Sequence, residues 1–278
     1  MILPGPVTSF EWLTTPAGDA LVCPAFLESA RHVFTTRPWP LGSVSPAARD
    51  QAWADVALAL DVPPGRLLRV RQVHGAAVVV RKAGGAFDQS AEADIIVTDQ
   101  PDVALAVRTA DCVPLLVADA RTGSVAAAHA GWRGLALRVP SVTVAALGRE
   151  FGSRPTDLVA AIGPSIGPCC YEIGEDVRRQ FVAAGFTPSD LSRWFGAEPK
   201  PSPVNPSFGG LSTNRRPGHS FLDIWSVARD QLVAAGVPSH QIHVAELCTA
   251  SNPAAFCSYR RDGSAAGRLA AAIRKVKT

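Results

Sequence analysis

Three apolar runs separated by short polar turns decide the fold: Val103-Ala-Leu-Ala-Val-Arg108, Val113-Pro-Leu-Leu-Val-Ala118 and Ser124-Val-Ala-Ala-Ala128. They are too short for ordinary helices. They also lack the polar alternation of a half-exposed strand, so they read as strands covered on both faces. Turns such as Arg121-Thr-Gly123 leave no room for a crossover helix, so most neighbours are expected to pair antiparallel. Working outward, similar runs lie at 67–73, 76–81 and 94–98, with turn signals at Gly84-Gly85 and Gln100-Pro-Asp102. Further strands are expected at 241–246, 255–260 and 268–273. Helical patterns follow Gly134 to Phe151, where Pro140 marks a kink or a later start, and cover 175–184, 188–195 and 221–235. Segment 198–218, rich in Pro, Ser, Asn and Gly, reads as a long surface loop able to shape or cover a site. With no internal repeat and no low-complexity linker, the expectation is a single α+β domain over residues 1–278.

Composition bounds the function. Of 278 residues 47% are hydrophobic and only 18% charged, enough apolar surface to offset ordering entropy and to exclude a disordered chain. A net charge of +3 is carried by scattered arginines, with lysine only at 82, 200, 275 and 277, and this is no nucleic-acid stripe. No segment approaches the roughly 18 to 20 apolar residues that cross a bilayer, and Met1-Ile-Leu-Pro-Gly-Pro6 lacks a basic stretch before an apolar one. The expected setting is a reducing cytoplasm, without membrane attachment. Six cysteines in so long a chain are too sparse for a disulfide scaffold, and serve there as packing residues, metal ligands or nucleophiles.

Reactive residues stand at abrupt ends of apolar runs: His74 in Gln72-Val-His-Gly75, Cys112 in Asp111-Cys-Val-Pro114, and His129 in Ala128-His-Ala-Gly-Trp-Arg-Gly134. Two imidazoles and a thiolate are a known zinc set, and three protein ligands leave a fourth position open, as in catalytic sites. The ordinary alternative is a small buried Cys and two hydrogen-bonded His. No close spacing of the Cys-x-x-Cys kind ties the three together. The turn at 130–134 precedes a helix, so free N–H groups, the helix dipole and Arg133 offer a phosphate seat. Its alternative is a Gly turn plugged by Trp132, with Arg133 in solvent. Asp111, next to Cys112, faces away from it on a strand and either orients a His or caps a turn. Arg260 and Arg261 alternate on a strand, so only one can face the cleft and the other is expected in solvent. Adjacent Cys169 and Cys170 diverge and favour a structural role over one shared metal. Cys248 ends a strand and is a candidate auxiliary or substrate-contacting thiol, while Cys23 and Cys257 read as packing residues.

The blocks Arg71-Gln-Val-His-Gly75, Thr109-Ala-Asp-Cys-Val-Pro114, Ala126-Ala-Ala-His-Ala-Gly-Trp-Arg-Gly134 and Ile162-Gly-Pro-Ser-Ile-Gly-Pro-Cys-Cys-Tyr-Glu-Ile-Gly174 resemble the signatures of the YfiH/YlmD laccase-domain family. Cys248-Thr249, Phe256-Cys-Ser-Tyr-Arg-Arg-Asp-Gly263 and Gly267-Arg268 continue the resemblance, in family order. It implies a β-sandwich core wrapped by helices, similar to that of a deamidating toxin of the cytotoxic necrotizing factor type. It implies zinc held by His74, Cys112 and His129. Around that site Gln72 and Asp111 are expected as supporting residues and Arg37, Arg133, Cys248 and Arg260 as substrate contacts. The implied activity is phosphorolysis of adenosine, inosine and 5'-methylthioadenosine, with adenosine deamination in the same site, so the implied partners are purine nucleosides and phosphate. The N-terminal part departs from the pattern, since the turn after Thr36-Arg37 is shorter than the Gly-rich one usual in the family.

The family's other names, polyphenol oxidase and peptidoglycan editing factor, can be weighed against composition. A multicopper oxidase needs about two or more imidazoles for each of several coppers. This chain has six His, at 32, 74, 129, 219, 240 and 243, without a His-x-His pair. Copper(II) nevertheless competes well for a single His/Cys/His set. Three other readings stay open at this stage: a metal-free Cys112/His hydrolase, an amidase acting on cell-wall precursors, and a non-catalytic zinc-binding partner of another protein.

Overall fold

The computed structural model describes residues 3–84, 87–207 and 216–276. Two six-stranded sheets pack face to face. The first runs Glu11–Thr15, Gly18–Val22, Ala30–Thr35, Leu269–Lys275, Ala104–Thr109, Leu67–Leu68. The second runs Ile242–Val244, Leu158–Ile162, Val113–Asp119, Val125–Ala130, Ile95–Thr98, Val78–Arg81. A small third sheet joins Glu172–Gly174, His219–Leu222 and Phe195–Gly196.

Alternation within each strand explains why the central runs are apolar throughout. Ile96, Leu116, Ala127 and Ala161 of the second sheet meet Phe34, Leu105, Val107 and Ala271 of the first inside the sandwich. Their neighbours Ile95, Leu115, Val117 and Ala128 point the other way, onto Val144 and Leu147 of helix Val139–Phe151 and Val227 and Leu232 of helix Ile224–Ala234. Val33, Ala104 and Ala106 bury the outer face of the first sheet against Trp53, Val56 and Leu60 of helix Pro46–Ala59 and its C-terminal end. Every residue of Val113–Asp119 is buried, as a strand covered on both faces requires.

Most pairings are antiparallel, as the short turns demand, but three are parallel: Val78–Arg81 with Ile95–Thr98, Leu67–Leu68 with Ala104–Thr109, and Leu158–Ile162 with Ile242–Val244. Pro140 marks a later helix start. Helix Trp132–Ala136 stops, Arg138 adopts left-handed φ +60°, and Val139–Phe151 begins with the proline in its first turn, where no N–H is needed.

Several expectations are corrected. The run at 67–73 keeps only Leu67–Leu68 as strand, and Arg71 makes a single bridge to Glu92 before the chain turns away. Residues 255–260 are not a strand. The Ala255 and Phe256 amides donate to Asn252 O, and Tyr259–Asp262 is a short helix capped by Ser258, so apolar side chains there fill the sandwich edge from a turn. Phe221 and Leu222 belong to strand His219–Leu222, and the helix begins only after Asp223, whose carboxylate accepts the Ser226 amide. Of the long loop, 208–215 lie outside the described residues. The rest is not wholly superficial, because Asn205 is buried, donating to Glu246 O at 2.6 Å and accepting from the Cys248 amide at 2.7 Å. The strands of the first 66 residues and Leu158–Ile162 carried no clear signal of their own, being short and held in place by their partners.

Candidate functional site

His129 sits near the end of strand Val125–Ala130, and Cys112 stands just before Val113–Asp119, which pairs with it. Register therefore brings the two together: Val113 is opposite Ala130, and Pro114 opposite His129. His74 arrives from the turn before Val78–Arg81, with φ +60°, a left-handed conformation costing about 1–3 kcal/mol for a residue with a Cβ. Its Nε2 lies 3.9 Å from Cys112 Sγ, and its ring meets that of His129 edge-on with centroids 4.9 Å apart. One donor atom from each of His74, Cys112 and His129 falls within 4.8 Å of the others. Convergence of the three, which spacing could not show, is thus a property of the fold.

Asp94, immediately before strand Ile95–Thr98, organises this cluster. The fully buried Asp94 carboxylate accepts His129 Nδ1 at 2.8 Å and the amides of Val73, His74 and Gly75 at 3.2, 3.1 and 2.6 Å. One carboxylate thereby fixes the tautomer and rotation of one imidazole and the strained turn carrying the other, a common arrangement behind metal-binding histidines. Burial opposes its ionisation, but the His129 ring and the amides outweigh it and hold the Asp94 carboxyl below its ordinary range. The signal was present in the sequence: an acid in Ala93-Asp-Ile-Ile-Val97, inside an otherwise apolar run, must be paired when buried.

Burial also penalises charge on Cys112 and His129, yet each supplies what the other needs. Bonds from His129 and His74 bring the Cys112 thiol down to about 7, and Asp94 and the Cys112 sulfur raise His129 to about 9. A thiolate at neutral pH with two imidazoles is the donor set that a zinc-like ion takes. Gly131 makes room for it, since a Cβ there would lie 2.9 Å from Cys112 Sγ and 3.1 Å from His74 Cδ2. The donors fit a metal, and their side of the cleft stays open.

The cluster lies in a cleft of about 510 Å³, ringed by Arg108, Arg133, Arg260 and Arg268 and by the aromatic rings of Trp132, Tyr171 and Tyr259. Arg133 and Arg260 were expected here; Arg108, Arg268, Tyr171 and Tyr259 were not singled out. Arg133 stacks on Trp132 at 4.2 Å and Arg260 on Tyr171 at 5.1 Å. Gln72 lines the cleft but orients no histidine; it exchanges bonds of 2.8 Å with the Arg108 backbone N–H and C=O. Asp111, at φ +91°, accepts Thr249 Oγ1 and the Arg260 amide, each at 2.6 Å, so it ties the 249–260 segment to the Cys112 turn and leaves the histidine to Asp94. Burial outweighs those bonds and raises its carboxyl.

Two expected contacts fall elsewhere. Arg37 donates to Pro253 O and pairs with Asp262 at 3.6 Å, outside the cleft lining. Cys248 is fully buried among other sulfurs. Arg261 is not in solvent, because its guanidinium is buried on the carbonyls of Thr249, Ala250 and Phe256. That reassignment follows from residues 259–262 being helical, which abolishes the strand alternation assumed for the Arg pair.

Residues 45–275 match the family model described as multi-copper polyphenol oxidoreductase laccase. The chain is 38% identical over 259 residues to a purine nucleoside phosphorylase of Deinococcus radiodurans, covering 87% of this chain and 88% of that one. It is 36% identical over 181 residues to a purine nucleoside phosphorylase of Bacteroides thetaiotaomicron, covering 65% of this chain and 60% of that protein. It is also 32% identical to the adenosine deaminase RL5 of an unknown prokaryotic organism, covering 77% of this chain and 76% of that one. The crystal structure of Bacillus licheniformis hypothetical protein YfiH superposes with a TM-score of 0.79 at 28% identity, over 97% of this chain and 100% of that one. With the signature residues gathered in one cleft and the same sandwich beneath them, the chain belongs to the YfiH/YlmD laccase-domain family.

Proposed function

We propose that the protein is a zinc-dependent purine nucleoside phosphorylase, acting on adenosine, inosine and 5'-methylthioadenosine, with adenosine deaminase activity in the same cleft. The observation that carries this reading is the His74/Cys112/His129 cluster at the floor of a cleft bearing four arginines. The names of the relatives support it. A bound zinc ion supplies Lewis acidity there, which stabilises charge developing on substrate oxygen or on a departing base.

The chain's own residues do the rest. Arg133, Arg260, Arg108 and Arg268 attract and seat a phosphate dianion, with Arg133 in the first turn of helix Trp132–Ala136. Trp132, Tyr171 and Tyr259 offer apolar faces to a purine. Asp94 keeps a proton on His129 Nδ1, so that the other ring nitrogen faces Cys112. Phosphorolysis then joins an oxygen of hydrogen phosphate to C1' as the bond to the purine nitrogen breaks, and the departing base takes up the proton that hydrogen phosphate gives up. The purified, zinc-loaded protein given inosine and phosphate should release hypoxanthine and ribose 1-phosphate. Absence of both products overturns the phosphorylase reading.

One observation favours a second reading. A Cys112 thiol near 7 beside a His129 near 9 is also the ion pair of a metal-free thiol hydrolase. Metal analysis separates the two, because a zinc content that falls by about one per chain in Cys112→Ala relative to the unaltered protein removes the hydrolase.

The polyphenol oxidase name finds no multicopper geometry among the described residues. Of the six His only His74 and His129 enter a cluster of potential ligands. His32 instead accepts the Cys23 amide inside the first sheet.

A further inference from the structure

A second group of sulfurs lies apart from the cleft cluster. Cys169 and Cys170 follow strand Leu158–Ile162, and Cys248 follows Ile242–Val244, beside the Ser165–Cys248 bridge. All three are at most 2% exposed, none is in a disulfide, and their Sγ atoms fall within 4.8 Å of one another. Adjacent cysteines were expected to diverge. They converge here because Cys169 and Cys170 sit on a tight turn, with the Cys170 and Tyr171 amides both donating to Gly167 O.

Two features are unusual for sulfurs that merely pack. The Ser251 hydroxyl oxygen stands 3.2 Å from both Cys169 Sγ and Cys170 Sγ. Its one proton is directed to Pro206 O at 2.6 Å, so the oxygen turns lone pairs toward the sulfurs. The Gly167 amide points at Cys248 Sγ at 3.2 Å, a bond that stabilises a metal-held thiolate more than a thiol. Positive charge stands close behind: Arg260 donates toward Cys170 O, and the buried Arg261 donates to the Thr249 and Ala250 carbonyls. Zinc bound to thiolates at about 2.3 Å spaces sulfurs about 3.8 Å apart, a spacing inside the 4.8 Å within which the three Sγ atoms lie.

We propose that Cys169, Cys170 and Cys248, with the Ser251 oxygen as fourth donor, form a second, closed zinc site. On binding, each thiol loses its proton to solvent and three Zn–S bonds form, leaving no open position and no catalytic role. The ion would pin together two segments, 163–171 and 248–252, which lead into Tyr171 and Arg260 of the cleft. The proposal is independent of the reaction assigned to the cleft.

The test is zinc content by elemental analysis of the full-length protein, with X-ray absorption at the zinc edge. Cys112→Ala/His129→Ala, which strips the cleft donors, is expected to keep one zinc per chain in a sulfur-dominated shell. The unmodified protein should hold two, and Cys248→Ser should lower that to one. A double variant that folds yet carries no zinc overturns the proposal, as does a disulfide within the trio in protein purified under reducing conditions. If Cys248→Ser does not fold, the stoichiometry of the unmodified protein still decides: one zinc bound by a single sulfur and two nitrogens refutes the second site, and two zinc ions support it.

Discussion

At the scale of single residues, Asp94 and Gly131 shape the cleft together with the donors His74, Cys112 and His129. Asp94→Asn keeps the volume but replaces an ionised acceptor of four bonds with a neutral amide. Zinc affinity in a chelator competition should fall by about 10–100-fold, and unfolding stability by about 1–3 kcal/mol, since buried amides lose a charged partner. Gly131→Ala inserts a methyl group between Cys112 Sγ and His74 Cδ2. The variant should fold with an unchanged far-ultraviolet dichroism spectrum and lose cleft zinc; undiminished zinc affinity would contradict the fit. His74, Cys112 and His129 were legible as residue types at strand ends. Asp94 was legible only as a buried acid in need of a partner, because its four partners are brought to it by two separate stretches of chain, 73–75 and 129.

At the scale of elements, strand Ala30–Thr35 carries a titratable group in an apolar setting. His32 is buried beside Phe26 and accepts the Cys23 amide on Nε2 at 2.7 Å, and burial pushes it down to about 4. Its folded value lies below its unfolded one, so the unfolded chain binds the extra proton. The neutral ring therefore contributes stability that is fully present above about pH 6.5 and is lost as pH falls through about 4, by an amount on the order of 3 kcal/mol. His32→Gln retains an acceptor without a titrating ring. Denaturant melts at pH 7 and pH 4.5 should show a smaller acid loss for the variant than for the unaltered protein, and equal losses would refute the assignment. Element boundaries followed local chemistry where that chemistry was strong: Pro140 opens a helix, and Asp223 caps one. They failed at 255–260, where an apolar stretch is buried from a turn.

At the scale of the whole molecule, three layers of apolar packing hold the sandwich without help from the cleft. Leu116→Ala, between the sheets, should cost about 2–5 kcal/mol. The same change at Leu58, 71% exposed on helix Pro46–Ala59, should stay within about 0.5 kcal/mol. Stripping the cleft ion with a chelator should abolish inosine phosphorolysis, restorable by zinc, while the far-ultraviolet dichroism spectrum is unchanged. Concerted loss of sheet signal would show instead that the cleft ion holds the sandwich together.

Sequence by itself determined the α+β class, the doubly covered central strands and the reactive residues at their ends, because alternation, turn chemistry and residue type act over a few neighbouring positions. It also set six His against a multicopper centre. Tertiary structure alone decided that His74, Cys112 and His129 meet, that Asp94 holds the two histidines, and that Cys169, Cys170 and Cys248 form a separate cluster. Register across the sheet and crossings between distant loops create those contacts, and their energies depend on distances that no local stretch of sequence encodes.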